Sequence, residues 1–252
     1  MVSAAQYLQR IGVDAGEQRA DLARLRELQL AHLLTVPFEN LDVFHRRGVT
    51  TDLEWSLPKI VERRRGGWCF ELNGAFGWLL REVGFDVNYV SCQVFGADGW
   101  GPPLDHCALV VQLDGRRWLV DVGFGDCCMV PVRMEDGELD TVPRRVRFEI
   151  DGDSFRMSEL ALDGTWGDSL QGTFQPRQLV DFTPRSEFLK TEPGLAWTQK
   201  PFATRATAAD GSRVTLRNGV LRVREGCGEF TDTPLDEGQF DELLAEHFAL
   251  TP

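Results

Sequence analysis

HCALVVQLDGRRWLVDVGFG, residues 106–125, decides the fold, because two apolar runs flank Asp114-Gly115, a dipeptide whose residues both tolerate the positive φ of a two-residue hairpin turn. Strands joined this tightly pair antiparallel. Pairing Leu113 with Arg116 places Ala108 opposite Asp121 and His106 opposite Gly123. His106 and Asp121 then share a face as diagonal neighbours, roughly 7–8 Å apart at the backbone and within reach of a hydrogen bond. A four-residue loop keeps them on one face but farther apart, and a three-residue loop separates them. The carboxylate of Asp121 sits in the apolar run WLVDVGF and is costly to bury without a partner.

Toward the N-terminus, Gly66 and Gly67 break the chain, and Leu72, Phe76, Leu79, Leu80 and Val83 then recur at helical spacing until Gly84 supplies a stop. Cys69 therefore opens a helix. Earlier, the first 35 residues read as helical, with Leu22, Leu25, Leu28 and His32 or Leu33 on one face and an interruption near Gly12 to Gly16. Pro37 ends that stretch, and a second helix is expected around residues 57–64. Toward the C-terminus, VNYVSCQVF, RWLVDVGF, VRFEI and VTLRNGVLRV read as strands, and residues 234–248 as an amphipathic helix with an acidic outer face. Helices, then antiparallel strands, then a mixed segment make an α+β chain.

Composition narrows the function. With 252 residues, 42% hydrophobic and 26% charged, the chain can bury a sizeable core. A net charge of −12 disfavours nucleic acid and anionic membrane surfaces as partners. The first residues carry no basic segment followed by an apolar core, and no run approaches a membrane span. Six cysteines, two adjacent at Cys127 and Cys128, do not form the dense pattern of a secreted disulfide domain, so a cytoplasmic protein is expected. No CxxC or HExxH is present, and no metal site is expected.

Cys69 is the candidate nucleophile. At a helix start, unpaired backbone amides favour a thiolate, and Arg63, Arg64 and Arg65 add to this if they lie near in space. A free cysteine is more often a small apolar residue on a packed face. Joined by a base and an acid that orients the base, the thiol becomes part of a covalent acyl-transfer set.

RGGWCFELN, residues 65–73, resembles the active-site cysteine motif of the arylamine N-acetyltransferases. PFENLD (37–42), KIVERRRGG (59–67), the His106 strand and DVGFG (121–125) are similar to that family's segments in order and spacing. The resemblance runs from about Tyr7 to the C-terminal helix. It implies a helical domain over 1–84 carrying the nucleophile, an antiparallel β-barrel-like domain over 85–190 carrying His and Asp, and an α/β lid over 191–252. It also implies a transglutaminase-like triad of Cys69, His106 and Asp121, and ping-pong transfer from acetyl-CoA, without metal, to an aromatic amine or hydrazine. Phe38, Val94, Phe124 and Phe202 correspond to acceptor-pocket residues, although each fits a core equally well. Gly123 and Gly125 are the candidates for CoA contact, with Arg64, Arg65 and Arg116 as candidate cations, and Glu39 and Arg65 are expected to pair. Asp105 stands where many relatives carry a small hydroxyl residue.

Three other readings fit the same residues. An amide synthase of the family would move a polyketide acyl chain from an acyl carrier protein to an intramolecular amine. A cysteine hydrolase also uses a Cys, His, Asp order. A binding module could retain the triad by descent.

Overall fold

In the computed structural model, residues 2–16, 19–126, 128–217, 219–236 and 238–251 are described; Cys127 of the cysteine pair lies outside them. The first helix, α1 (Ala4–Arg10), begins at Ser3, whose hydroxyl accepts from Gln6 N while the Gln6 side chain accepts from Ser3 N. Asp21 caps α2 (Leu22–Thr35) by accepting from Arg24 N, and Leu25, Leu28, His32 and Leu33 form its buried face. Pro37 leads into the two-residue strand β1 (Phe38–Glu39) and the short α3 (Leu41–Phe44). The helix expected over 57–64 is α4 (Leu53–Val61): it starts a turn earlier, after Asp52, and is over before Arg64, whose φ of 54° is left-handed. Helix α5 (Cys69–Glu82) starts at Cys69 and ends as the sequence indicates, with Gly84 at φ 95° and Phe85 N bonded to Leu80 O.

A curled sheet follows. Its strands are β2 (Asp86–Gly96), β3 (Gly99–Trp100), β4 (His106–Leu113), β5 (Arg116–Val120), β6 (Val132–Arg133), β7 (Gly137–Leu139), β8 (Val146–Asp151), β9 (Ser154–Leu160) and β10 (Trp166–Arg177). The main order is β6-β5-β4-β2-β10-β9-β8-β7, with β3 paired to β2. Val132 near one end of the path and Val146 and Phe148 near the other pack into one core, so the sheet closes on itself like a barrel. Every pairing in it is antiparallel.

Strand β4 is buried on both faces. Ala108 and Val110 point into the barrel core, while Cys107, Leu109 and Val111 join the core shared with α1, α2 and α5. The hairpin register is the expected one, Leu113 opposite Arg116 and Leu109 opposite Val120, with Asp114 and Gly115 at φ 52° and 71°. The run RWLVDVGF does not stay extended throughout, because β5 stops at Val120 and residues 121–126 turn away from the sheet.

Past a 3-10 turn (Leu179–Phe182) come α6 (Thr183–Thr191) and α7 (Ala196–Gln199), then β11 (Phe202–Ala206), β12 (Arg213–Arg217), β13 (Val220–Arg224), β14 (Phe230–Pro234) and α8 (Gln239–Phe248). Residues 234–236 and 238 are not helical as expected. Pro234 closes the β14 pairing with Val220, and Gly238 at φ 87° precedes the helix. The second sheet runs β1-β11-β12-β13-β14, so a segment near the N-terminus supplies the edge strand of the C-terminal sheet. No helix among the described residues is long and apolar enough to cross a membrane.

Candidate active site

Two crossings of backbone fix the start of α5. Glu39 N donates to Gly67 O at 2.9 Å, and a Cβ at Gly66 would collide with the Pro37 carbonyl, so β1 can pass this close only where glycine stands. One turn into the helix, Glu71 accepts from Trp68 N at 3.3 Å, from Trp55 Nε1 at 2.8 Å and from Lys59 Nζ at 2.9 Å. Lys59 Nζ also lies 3.0 Å from Asp42 Oδ2, and Arg65 reaches Asp42 at 3.3 Å and Glu39 at 3.8 Å. Burial raises the Glu71 pKa, with Lys59 opposing it. Burial alone would lower Lys59, but the charges of Glu71, Glu39 and Asp42 prevail and raise it. This buried ion network ties PFENLD, α4 and the cysteine helix into one body. Arg65 is thereby committed to carboxylates, Arg63 lies over the Trp55 ring, and Arg64 and Arg116 are exposed.

The hairpin delivers the second half of the site. His106 Nε2 and Asp121 Oδ2 are 2.6 Å apart, both residues buried, as the diagonal geometry anticipates. The Cys69 sulfur lies near enough to His106 to favour the charged ring. With Nε2 held by Asp121, Nδ1 is the ring nitrogen left for the sulfur. Burial works against a charged imidazole, yet the Asp121 charge and hydrogen bond together with the Cys69 sulfur push its pKa up to about 10. Asp121 Oδ1 accepts from Gly123 N at 2.8 Å and from Asn73 Nδ2 at 2.8 Å.

Sequence reasoning quoted Asn73 in a motif without giving it a task. It lies one helical turn past Cys69, donates to Cys107 O at 2.7 Å and to Asp121, and accepts from Val122 N at 2.9 Å. Helix α5 thus carries both Cys69 and the amide that orients Asp121. Gly123 completes the arrangement: a Cβ there would lie 2.7 Å from Cys69 Cα and 2.8 Å from Asn73 Nδ2. The i, i+4 spacing of Cys69 and Asn73 on one helix face is the signal that could have flagged the amide.

The thiols of Cys92, Cys107 and Cys128 are of a different kind. Burial pushes Cys92 and Cys107 well up and Cys128 to about 12, which keeps them protonated and inert.

Phe38, Phe124, Phe202 and Gly125 line a cleft of about 530 Å³ bounded by the 121–126 segment, α7 and the C-terminal sheet. Phe38, Phe202 and Trp197 form a box with ring centroids 5.5–6.0 Å apart, a role for Trp197 that no motif signalled. Lys200, Arg213, Arg217 and Arg222 supply the cations of this cleft, and Arg64, Arg65 and Arg116, singled out from sequence, are not among its lining residues. Phe124 also stands edge-on to His106, centroids 5.2 Å apart, and so connects cleft and histidine. Val94 packs against the barrel core outside this cleft, and Gly123 serves close packing against Cys69. Asp126 fastens the 121–126 segment to the C-terminal sheet through Arg213 at 3.1 Å and Arg224 at 2.6 Å. Asp105, beside His106, accepts from Arg185 of α6 at 2.6 Å.

The sequence profile described as N-acetyltransferase matches residues 21–251. An arylamine N-acetyltransferase of Mycolicibacterium smegmatis is 36% identical over 232 residues, covering 88% of this chain and 83% of its own. Among solved structures, the Nocardia farcinica arylamine N-acetyltransferase superposes with a TM-score of 0.89 at 32% identity, covering 100% of this chain and 90% of that one. A Mycobacterium marinum arylamine N-acetyltransferase in complex with CoA gives 0.88 at 28% identity, covering 98% and 92%. A cysteine, a histidine and an aspartate brought together by a helix start and a hairpin, inside a fold shared over nearly its whole length, agree with those matches: the chain belongs to the arylamine N-acetyltransferase family of enzymes.

Proposed function

We propose that the protein transfers an acetyl group from acetyl-CoA through a Cys69 thioester to the nitrogen of an arylamine or hydrazine. The observation that carries this reading is the 2.6 Å contact of Asp121 with His106, on whose other side stands the Cys69 sulfur. In the resting pair, Cys69 is the thiolate and His106 the imidazolium, stabilised by Asp121. The thiolate attacks the acetyl carbonyl, the bond from that carbon to the CoA sulfur breaks, and the leaving thiolate takes the His106 proton. Neutral His106 then accepts a proton from the amine as its nitrogen attacks the thioester. The Cys69 sulfur leaves, and the thiolate–imidazolium pair is restored. The backbone amides of Cys69 and Phe70, at the start of α5, are the candidates to hold the oxyanion, since Glu71 N and Leu72 N are bonded to Trp68 O.

The aromatic and cationic walls of the 530 Å³ cleft suit a donor with both an apolar arm and phosphates. The M. marinum relative, whose structure is described as a complex with CoA, supports that donor. Apolar rings around the thioester exclude water, the competing nucleophile, so thioester hydrolysis is expected to be slow. Initial rates with acetyl-CoA varied at several fixed arylamine concentrations test the scheme. Parallel double-reciprocal lines, with activity cut roughly 10⁴-fold or more in Cys69→Ala, are expected. Intersecting lines would contradict a covalent intermediate. Acetylation from a carrier-bound thioester with none from acetyl-CoA would point to the amide-synthase chemistry instead.

A further inference from the structure

His106 stands at an open end of its strand. On the β2 side the ladder reaches it, with His106 opposite Cys92, but on the β5 side the pairing stops at Leu109 and Val120. A strand end paired on one side frays more readily than its middle, whereas a base must keep a fixed distance from its nucleophile. Downstream the backbone is held, because Asn73 of α5 donates to the carbonyl of Cys107 at 2.7 Å. Upstream it arrives through a turn in which Leu104 is left-handed, at φ 65°, a conformation unfavourable for leucine unless its surroundings impose it.

Two contacts hold that turn. Leu104 N donates to Ser91 Oγ at 2.8 Å, and Asp105 Oδ1 accepts from Arg185 Nε at 2.8 Å and from Arg185 Nη2 at 2.6 Å. Gly101 makes room for the carboxylate, since a Cβ there would lie 2.5 Å from Asp105 Oδ2. Arg185 belongs to α6 and stands over the Phe188 ring, 4.9 Å from its centroid. Helix α6 is in turn fixed to the body that carries the nucleophile. Thr183 Oγ1 and Thr51 Oγ1 are bonded at 2.7 Å, and the 3-10 turn before α6 packs Leu179 against Gly74 of α5 and Phe182 against Phe70, ring centroids 5.9 Å apart. Phe70 follows Cys69 directly. Contacts therefore run from Cys69 through Phe70, Phe182 and α6 to Arg185, Asp105 and His106, a circuit closed around the nucleophile and its base. Arg185 and Asp105 are 21% and 19% exposed, and an ion pair this open to water contributes little to stability, so its effect is on geometry.

We propose that Asp105 and Arg185 are positioning residues for acetyl transfer, a clasp that keeps His106 at its working distance from the Cys69 sulfur. The inference rests on the acetyl-transfer reading above and deepens it by adding a pair outside the set of Cys69, His106 and Asp121. Neither residue lines the 530 Å³ cleft, so the clasp acts on the chemical step and not on donor binding.

Rapid quench after mixing with acetyl-CoA, read by intact mass, gives a limiting acetylation rate and a half-saturating concentration for the native protein, Asp105→Ala, Arg185→Met and the double variant. The limiting rate is expected to fall roughly tenfold in each single variant, short of the ~100-fold cost of a misplacement of about 1 Å. The double variant is expected to lose no more than the slower single one, because both substitutions remove the same contact. Half-saturating acetyl-CoA should stay within about twofold of native, with urea midpoints close to native. Losses that multiply in the double variant, a loss confined to the half-saturating concentration, a rate loss matched by a large fall in urea midpoint, or native rates in both single variants would overturn the clasp while leaving acetyl transfer intact. Failure of the native protein to form the acetyl-enzyme would overturn both.

Discussion

His106 carries opposing demands, since burial disfavours its charged form while Asp121 and the Cys69 sulfur favour it, and the second influence wins. Between its ordinary pKa of 6.5 and about 10, the folded chain holds a proton that the unfolded chain has released. The site's contribution to stability is therefore complete below 6.5 and is lost as pH rises through about 10. NMR titration of the four histidines, assigned by single replacements, is expected to show the His106 ring charged at pH 8 in the native protein, and its titration moved down in Asp121→Asn. A ring that titrates near 6.5 in the native protein would contradict this. Asn73 is the positioning residue of the set. Loss of its amide in Asn73→Ala removes a charge-assisted hydrogen bond worth about 1.5–3 kcal/mol, so acetylation should slow by roughly 10- to 100-fold. Asn73→Gln is expected not to restore the rate, because the longer side chain cannot keep its bonds to Asp121 and Val122 together. The hairpin made His106 and Asp121 readable from sequence, because a two-residue turn sets register by counting. Asn73 was not readable in that way, since its partners lie 34 to 49 residues away.

Helix α5 works as a platform whose position is set by close backbone approaches and by buried charge. Gly123→Ala forces a methyl against Cys69 Cα, and a displacement of this kind near reacting atoms is expected to cost roughly 100-fold in acetylation rate. Circular dichroism on the same sample would show whether secondary structure survives. Lys59→Met would leave Glu71 without its counter-charge in the interior, Asp42 keeping Arg65, and breaking a buried pair in this way costs about 3–5 kcal/mol, measurable by urea unfolding. Periodicity identified α5 and its end at Gly84, because the helix buries most of its surface and the stop is a local glycine signal. It misplaced α4, whose limits depend on Asp52 and on the left-handed Arg64, and it ran the last helix back to Pro234, where β14 pairs with β13. Strand pairing between distant segments overrides local pattern, as β1 also illustrates by joining a sheet more than 160 residues ahead in the chain.

At the scale of the molecule, three apolar cores among the described residues carry the fold: one joins the N-terminal helices to the outer face of β2 and β4, one fills the barrel, and one lies beneath α8. His32 is fully buried in the first, its Nδ1 3.2 Å from Tyr7 Oη, and burial, aided by Arg10, lowers its pKa to about 3. Since the unfolded chain protonates it near 6.5 and the folded chain does not, its contribution is lost as pH falls from 6.5 toward 3, at up to about 1.4 kcal/mol per pH unit. Glu71 and Glu159, raised by burial, act in the opposite sense. Comparing urea midpoints of native and His32→Gln protein isolates the histidine, and the variant is expected to lose less stability between pH 6 and 4. Fold class followed from the order of helical and strand-like segments. The cations of the 530 Å³ cleft did not, because Lys200, Arg213, Arg217 and Arg222 converge around the second sheet and not through any sequence motif.

The central claim is that Cys69 carries the acetyl group, and intact-mass measurement after mixing with acetyl-CoA tests it most directly. A single acetyl adduct is expected, absent in Cys69→Ala, and discharged when an arylamine is added, with the acetylated amine appearing in equal amount. An adduct that persists in Cys69→Ala, or transfer to the amine with no adduct on the native protein, would contradict it.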